Sequence, residues 1–173
     1  VVGPAVPVNS VAELVALARK EPGKLNFASP GYGTSLHLAG ELFKASEKID
    51  IVHVPYKGGG PAMTDLMGGQ VPMLFTSLGP AVGAVKGGKI RALAMTGQAR
   101  SSALPDLPTV SEAGLPGYQV FGWFAFFGPA KMPEAVTARL SASVATALDS
   151  PGMRDQIAGL GLQPQRATGP EVS

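Results

Sequence analysis

Residues 27–43, FASPGYGTSLHLAGELF, carry the strongest fold signal in this chain. The stretch begins with apolar residues typical of a buried strand, passes through a cluster of Gly, Ser, Pro and Thr, and ends in the apolar spacing of an amphipathic helix. A strand that leads through such a turn into a helix is the repeating unit of parallel sheets covered by helices. The polar turn either only caps the helix or also cradles a negatively charged ligand.

The same strand–helix unit recurs along the N-terminal half of the chain. Four short, apolar strands are predicted, at 24–29, 49–56, 71–77 and 89–96. The helices predicted after the first three strands span 34–46, 61–68 and 80–87. Nearly continuous apolar strands indicate a sheet that is covered on both faces. The sequence therefore predicts an α/β fold in which a parallel-rich sheet carries helices on both faces.

A further helix is predicted ahead of the first strand. Ser10 opens the sequence S-V-A-E, in which its hydroxyl can accept a hydrogen bond from the Glu13 N–H while the Glu13 carboxylate reaches back. The residues that share one apolar helical face are Val11, Leu14, Val15 and Ala18. Pro22 and Gly23 end this helix.

The chain changes in composition after the fourth strand. Residues 99–118 are rich in Pro, Gly and Ser, which predicts a surface connection with one short helix near 109–114. The aromatic stretch that follows, 118–130, is expected to bury Trp123 and its phenylalanines in a core.

Two more helices are predicted at the C-terminal end. Pro133 is placed in the first turn of a helix that ends near Ser150. The predicted inner face of that helix consists of Val136, Leu140, Val144 and Ala147. A last short helix is predicted over 151–159.

Composition limits the class of protein. The chain has 173 residues, of which 45% are hydrophobic and 15% charged, and its net charge is +2. Because the basic residues are scattered, we expect no nucleic-acid partner. Cysteine is absent, which excludes disulfides and thiol catalysis. No apolar run approaches a membrane span and no signal peptide is visible, and a start at Val1 rather than methionine suggests a processed chain or a fragment.

Polar residues follow every predicted strand, at the end where ligands of open α/β sheets bind. A helix start presents unpaired N–H groups with positive partial charge, and glycine allows the backbone to approach a ligand closely. Together these features favour an anion site, assisted by hydroxyls and by Lys57. The predicted ligand-binding residues are Ser29, Gly31, Tyr32, Gly33, Thr34, Ser35, His37, Tyr56, Lys57, Gly58, Thr76 and Ser77.

Other site types fit the sequence less well. Residues 83–89 match G-x-x-x-x-G-K, but they end a helix instead of beginning one, which argues against a phosphate loop. His37 and Glu41 lie one helical turn apart, and without a third ligand a surface pair is favoured over a metal site. His53 is interpreted as a structural histidine within a strand. No nucleophile–base pair is evident, so we expect no enzyme activity, no metal and no cofactor.

Four stretches of the sequence resemble a known protein family. They read, in order, NFASPGYGTSLHLAGELFK, DIVHVPYKGGGPAMTDLMGGQVPMLF, GGKIRALAMTGQARSSALPDLPTVSEAGLPGYQV and WFAFFGPAKMP, and the resemblance that they carry extends over nearly the whole chain. The family that they resemble is the Bug, or TctC-like, family of extracytoplasmic solute receptors of tripartite tricarboxylate transporters. The resemblance implies a type II periplasmic-binding-protein-like fold, in which two α/β lobes close on a ligand that is usually a small carboxylate.

The resemblance also implies how the chain divides. Residues 1–117 would form the second lobe, and residues 118–173 would be a return segment that forms the C-terminal part of the first lobe. The family's N-terminal segment is missing and its final helix is cut short, so the chain resembles a fragment with half of a binding site. Family members often carry an acidic residue where this sequence has Thr76. A ligand amine would lack a carboxylate partner there, which argues against amino-acid ligands.

The function implied by the resemblance is that of a periplasmic receptor, which captures a small carboxylate and delivers it to the membrane subunits of a transporter. The alternative is an effector-binding domain of a transcription regulator, which shares the two-lobed fold and would follow a DNA-binding helix-turn-helix. The missing segment would leave apolar residues at 121–127 uncovered. We therefore expect self-association of the chain, with 118–150 packing against a second copy.

Overall fold

The computed structural model describes residues 1–160 and 162, which belong to two compact units, 1–122 and 123–173. The helices and strands of the first unit are α1 (Val11–Lys20), β1 (Asn26–Ser29), α2 (Ser35–Glu47), β2 (Val52–Pro55), α3 (Gly59–Met67), β3 (Met73–Leu74) and α4 (Leu78–Lys86). Those of the second unit are α5 (Glu134–Asp149) and α6 (Pro151–Gly159). The division into lobes at 117/118 stays a prediction.

A parallel sheet organises the first unit. Its strand order is β2–β1–β3, and both strand pairs are parallel. Phe27 in the central strand is aligned with His53 on one side and with Met73 on the other. Because α2, α3 and α4 each follow one of these strands, all three helices begin at the same edge of the sheet. The predicted α/β class is confirmed, although each strand is shorter than predicted.

The predicted fourth strand, 89–96, is wrong as a regular strand. Arg91 forms an isolated antiparallel bridge to Val2, and Met95 forms a separate bridge elsewhere. Val2 also bridges Met73 of β3, and its N–H donates to the Arg91 carbonyl at 2.8 Å. The N-terminal residues therefore occupy the pairing edge of β3 that a fourth parallel strand would have used.

The first helix begins as the capping pattern predicts. The Ser10 hydroxyl accepts from the Glu13 N–H at 3.1 Å, and the Glu13 carboxylate accepts from the Asn9 N–H at 2.7 Å. The returning bond therefore reaches one residue further back than predicted. All four residues of the predicted apolar face are buried.

Buried side chains cover both faces of the sheet. Phe27 and Ala28 are consecutive on β1, so they point to opposite faces, and they belong to two separate apolar clusters. On the Phe27 face, α2 packs so closely onto β1 that a Cβ at Gly40 would overlap the Phe27 ring. Glycine is thus the residue that permits this helix–strand distance.

The predicted short helix at 109–114 is wrong, because the structure has only turns there. Thr109 and Glu112 bond reciprocally: the Glu112 carboxylate accepts from the Thr109 N–H at 2.8 Å, and the Thr109 hydroxyl accepts from the Glu112 N–H at 3.1 Å. This arrangement caps a helix start, but Gly114 follows with a φ of +116° and ends the segment after one turn.

The predicted burial of side chains in the second unit is wrong. Trp123 and Phe126 are 63% and 90% exposed. On α5, Val136 and Leu140 of the predicted inner face are 45% and 52% exposed. Pro133 is the N-cap of α5 and not part of its first turn. An apolar stripe is buried only against a facing layer, and the described part of this unit contains only α5 and α6 as regular elements.

Candidate ligand-binding site

Three helix N-termini lie at one edge of the parallel sheet. α2 follows the N-cap Thr34, α3 follows Gly58, and α4 follows Ser77. The first N–H groups of each helix lack intrahelical partners and carry positive partial charge. The Thr34 hydroxyl accepts from the His37 N–H at 3.2 Å, whereas Gly58 and Ser77 supply no side-chain cap. This edge therefore offers several N–H donors to an anion.

The turn between β1 and α2 is held by its own polar groups. The buried Ser29 hydroxyl bonds both the N–H and the carbonyl of Gly31, each at 3.2 Å. The Gly33 N–H donates to His37 Nδ1 at 3.1 Å. The N–H groups of Gly31 and Gly33 are thus used inside the protein. Those of Ser35 and Leu36, at the start of α2, have no acceptor among the described residues and are the donors left for a ligand.

The turns that follow β1 and β2 are joined to each other. The Gly58 N–H donates to the Pro30 carbonyl at 2.9 Å, and the Tyr56 N–H donates to the Ser29 carbonyl at 3.0 Å. A Cβ at Gly31 would lie 3.3 Å from the Tyr56 carbonyl, and the φ of +146° at Gly31 is one that side-chain-bearing residues rarely adopt. Two of the predicted ligand loops therefore form one connected surface.

The two predicted site residues after β2 differ in what they contact. The Tyr56 hydroxyl donates to Asp65 Oδ2 on α3 at 2.7 Å. Burial, together with this bond, raises the pKa of Tyr56 to about 12. Its proton is therefore held by Asp65 and is not available to a ligand. Lys57 is exposed and forms no ion pair with a described residue, so its ammonium group can pair with an anion.

The predicted site residues after β3 lie at the entrance to α4. Thr76 is half-buried and Ser77 is exposed. Thr76 and Thr96 also line a cavity of about 100 Å³ whose other walls are mostly aliphatic. Ligand pockets typically enclose about 300–1,000 Å³ and carry several polar groups. A carboxylate would therefore lie at the open edge of the sheet and not inside this cavity.

His53, which the sequence places within a strand, lies against the predicted turn. Its ring stacks between Phe27 and His37, with centroid distances of 4.9 and 4.2 Å, and the Tyr32 ring meets it edge-on at 5.0 Å. Its Nε2 lies 2.7 Å from the Ser29 hydroxyl. No local pattern could have revealed this contact, because β1, β2 and α2 each contribute to it.

The described residues around His37 and His53 give no support for a bound metal ion. His37 Nε2 lies 3.9 Å from Glu41 Oε1, but the His37 side chain is only 16% exposed, so the interpretation as a surface pair fits Glu41 and not His37. In residues 1–160 and 162, no group of three or more His, Cys, Asp or Glu side chains is placed to hold a metal ion. Within the same part of the chain, no helix is both long enough and apolar enough to cross a membrane.

The charge at this edge has one sign. The segments around the three strand ends, 28–36, 54–60 and 73–79, contain Lys57 but no Asp or Glu. A cationic ligand would find no carboxylate in them, whereas an anion would meet a lysine and three helix N-termini.

The whole chain matches a known protein family. Residues 1–171 match the model of the family described as "Tripartite tricarboxylate transporter family receptor". The chain belongs to this receptor family. The resemblance to TctC-like receptors that the sequence motifs carry is thereby confirmed.

Relatives of this receptor family share both sequence and fold with the chain. A Pseudomonas sp. (strain P51) protein, named for the tcbD-tcbE intergenic region, is 39% identical over 163 residues, which are 91% of this chain and 48% of that protein. R. palustris Rpa4515, solved with adipate, is 36% identical with a TM-score of 0.89, over 94% of this chain and 55% of that one. MatC from Rhodopseudomonas palustris, solved with bound malate, is 34% identical with a TM-score of 0.87, over 96% and 58%.

These likenesses confirm the predicted fold of a periplasmic solute receptor. The chain spans about half the length of these receptors.

Proposed function

We propose that this chain is a ligand-binding part of a periplasmic receptor that captures a small carboxylate for a tripartite tricarboxylate transporter. The observation that carries the proposal is the convergence of the N-termini of α2, α3 and α4 at one sheet edge, where the strand-end segments 28–36, 54–60 and 73–79 contain no Asp or Glu. Such an edge stabilises negative charge. The family match supports the receptor role and makes the membrane subunits of that transporter the proposed partners.

The ligand class that this edge favours is a mono- or dicarboxylate. Backbone N–H groups and hydroxyls bind carboxylate oxygens directly or through bridging waters, so several cations are not required. Adipate and malate, which Rpa4515 and MatC were solved with, are both dicarboxylates. An amino-acid ligand is disfavoured because its ammonium group would meet Lys57 and Thr76 at this edge instead of a carboxylate.

Most of the predicted site residues, together with Leu36, fall into two main roles under this proposal. The groups that remain free to contact the ligand are the N–H groups of Ser35 and Leu36, the Lys57 ammonium and the Ser77 hydroxyl. The residues that shape the turns are Ser29, Gly31, Gly33, Thr34, His37, Tyr56 and Gly58. Tyr32 is exposed beside the turn, where its ring offers an apolar contact to a ligand chain.

Binding without catalysis is part of the proposal. Ser29 and His53 are 2.7 Å apart, which resembles a nucleophile and its base. Ser29 is fully buried, however, and its hydroxyl is engaged by Gly31. Among the described residues, His53 Nδ1 also lacks the orienting partner that a catalytic base requires. The transcription-regulator alternative gains no support from the matches reported above.

An NMR titration of the 173-residue chain with malate, adipate, putrescine and glucose tests the proposal, because NMR also detects millimolar binding. We expect the two dicarboxylates to shift the amide resonances of Ser35 and Leu36, whereas the diamine and the sugar leave them unchanged. A response to glucose or putrescine alone would contradict the proposed ligand class.

The contribution of Lys57 to malate binding can be tested by substitution. Lys86, which lies at the opposite end of α4 from the candidate site, serves as the matched control. Lys57→Met should weaken malate binding about fivefold, since one exposed charge-assisted contact contributes about 1 kcal/mol. Lys86→Met should leave the affinity unchanged. Equal losses in the two variants would mean that only the net charge of the chain attracts the anion.

A further inference from the structure

One ring nitrogen of His53 is paired and the other is not. Nε2 lies 2.7 Å from the Ser29 hydroxyl, whereas Nδ1 is buried and has no hydrogen-bond partner among the described residues. A buried polar atom without a partner is costly, so an apolar ring of similar shape would suit this position better if packing were its only role. The bond to Ser29 is the feature that an apolar ring could not supply.

The Ser29 hydroxyl bonds to His53 and to Gly31. It accepts from the Gly31 N–H at 3.2 Å, and its single proton has two acceptors in reach, the Gly31 carbonyl at 3.2 Å and His53 Nε2 at 2.7 Å. The His53–Ser29 bond can therefore form in either direction, depending on which ring nitrogen carries the proton.

A continuous series of hydrogen bonds runs from His53 to the start of α2. Ser29 holds both polar backbone groups of Gly31, and the Gly31 carbonyl also accepts from the Thr34 hydroxyl at 2.8 Å. The Thr34 hydroxyl in turn accepts from the His37 N–H at 3.2 Å and so caps α2. His53 is thus connected to the helix N-terminus that offers its N–H groups to a ligand, without contacting that ligand itself.

His37 holds the same turn from the helix side. Its Nδ1 accepts from the Gly33 N–H at 3.1 Å, which requires that this nitrogen carries no proton. The His37 and His53 rings are 4.2 Å apart, and Tyr32 meets them edge-on at 5.4 and 5.0 Å. Two imidazolium ions at this separation would repel each other. The packing therefore disfavours a positive charge on both rings at once.

We propose that His53 is a positioning residue: through its bond to Ser29 it holds the turn 30–35 in its ligand-binding conformation. The turn loosens when the His53 imidazole gains a proton, because Nδ1 would then be a charged donor buried without a partner among the described residues. The effect on ligand affinity rests on the proposed function, whereas the loosening of the turn does not.

The titratable groups around His53 favour its neutral form. Burial is the main cause that lowers its pKa, and repulsion from His37 adds to this, while Glu41 opposes it. Tyr32 contributes the nearest phenol, and β1 contributes no charged group beside the ring.

Amide hydrogen exchange of the 173-residue chain, followed by NMR, tests this role with two substitutions. His53→Phe keeps an aromatic ring between Phe27 and His37 but cannot form a hydrogen bond with Ser29. His53→Gln places an amide group near the position of Nε2. We expect His53→Phe to lower the protection of the Gly31 and Gly33 amides about tenfold relative to the α1 amides, and His53→Gln to retain most of that protection.

Tyr118→Phe is the control for general destabilisation. It removes a buried hydrogen bond of 2.7 Å to the Ala39 carbonyl, in the same unit but outside the turn. Its effect on Gly31 and Gly33 should not exceed its effect on α1. If His53→Phe behaves in the same way as this control, or if His53→Gln fails to restore protection, the positioning role is overturned.

The unsubstituted chain gives an independent answer if His53→Phe does not fold. After correction for intrinsic exchange, protection of the Gly31 amide, which donates to Ser29, should fall as the pH is lowered below 6.5, the ordinary pKa of histidine, and His53 takes up a proton, while protection of α1 persists. A constant ratio across this range would overturn the proposal.

A malate-binding measurement distinguishes a failure of this inference from a failure of the proposed function. Where the unsubstituted chain binds malate, His53→Phe should weaken that binding about tenfold. If the chain binds neither malate nor adipate, the proposed ligand class fails for this chain, and the exchange ratios alone decide the role of His53.

Discussion

At Gly40, the missing Cβ sets the distance between α2 and the central strand. The Phe27 ring that a Cβ would overlap is itself fully buried and stacks on His53 on the sheet side. A close-packed ring between a helix and a second ring has little room to move. By contrast, a Cβ at Gly83, within α4, would meet no atom within 4 Å.

Gly40→Ala should therefore lower the free energy of unfolding by about 1–3 kcal/mol through overpacking. Gly83→Ala is the matched control and should raise it by up to about 1 kcal/mol, because alanine favours the helix without a clash. Urea denaturation of both variants measures the difference. Equal changes would show that α2 and β1 can move apart at low cost.

The pKa of His53 links stability to pH. Because its pKa is lower in the folded chain than the ordinary 6.5, the unfolded chain takes up the proton first as the pH falls. The contribution of His53 to stability is therefore complete above pH 6.5 and is lost progressively below it. Urea denaturation at several pH values should show this decline, and His53→Gln should flatten it. A steeper decline in the variant would assign the effect to other groups.

Single residues also show where sequence reasoning ends. The Ser29 and Tyr56 hydroxyls were both predictable as polar groups at strand ends, but the structure bonds them to Gly31 and Asp65. Whether a hydroxyl faces a ligand or a neighbour depends on which other elements surround it. That information is long-range, and a local pattern does not contain it.

At the scale of elements, the sequence predicts a helix or turn correctly where the residues that determine it lie within a few positions of each other. The cap at Ser10 and the turn between β1 and α2 depend on residues within a few positions, and both elements form as predicted. The predicted strand at 89–96 has the right apolar character, but Val2 lies between Arg91 and β3. Val2 is so distant from residues 89–96 in the sequence that their apolar pattern alone cannot reveal that it pairs with β3 in their place.

Because Val2 bridges Arg91 through its backbone, loss of its N–H should destabilise the chain more than loss of its side-chain methyl groups. Val2→Pro removes the N–H that donates to the Arg91 carbonyl at 2.8 Å and should destabilise the first unit by about 2–3 kcal/mol. Val2→Ala keeps that N–H and loses only two buried methyl groups, at a cost of about 1–2 kcal/mol. Thermal unfolding of the two variants measures the difference in stability. A larger effect for alanine would mean that packing, and not the bridge, makes Val2 important.

For the molecule as a whole, the sequence identified apolar surfaces but not what covers them. The spacing of Val136 and Leu140 defines a helical stripe, and the aromatic residues at 123–127 are typical of a core, yet both are exposed in this chain. Periodicity reports that a face is apolar, whereas burial depends on a second surface. The chain spans about half the length of its relatives.

Self-association of the 173-residue chain is the expected result of this exposure. Sedimentation velocity should show a mass that rises with concentration, and the double variant Phe124→Ser with Phe126→Ser should reduce the rise. Leu38→Ser with Leu42→Ser removes exposed apolar side chains from α2 and serves as the matched control. A chain that remains monomeric at all concentrations, or an equal response of the two double variants, would contradict association through the aromatic stretch.

The contact between Gly40 and the Phe27 ring has a spectroscopic consequence. Circulating π-electrons of a ring shift the resonances of protons that lie against it, and the Gly40 α-proton that occupies the direction of a Cβ lies against this ring in the close helix–strand contact. Its resonance should therefore be displaced from the normal glycine range. Since the same ring also stacks on His53, that signal would report without any label whether α2 shifts relative to β1 when the pH falls or a carboxylate binds.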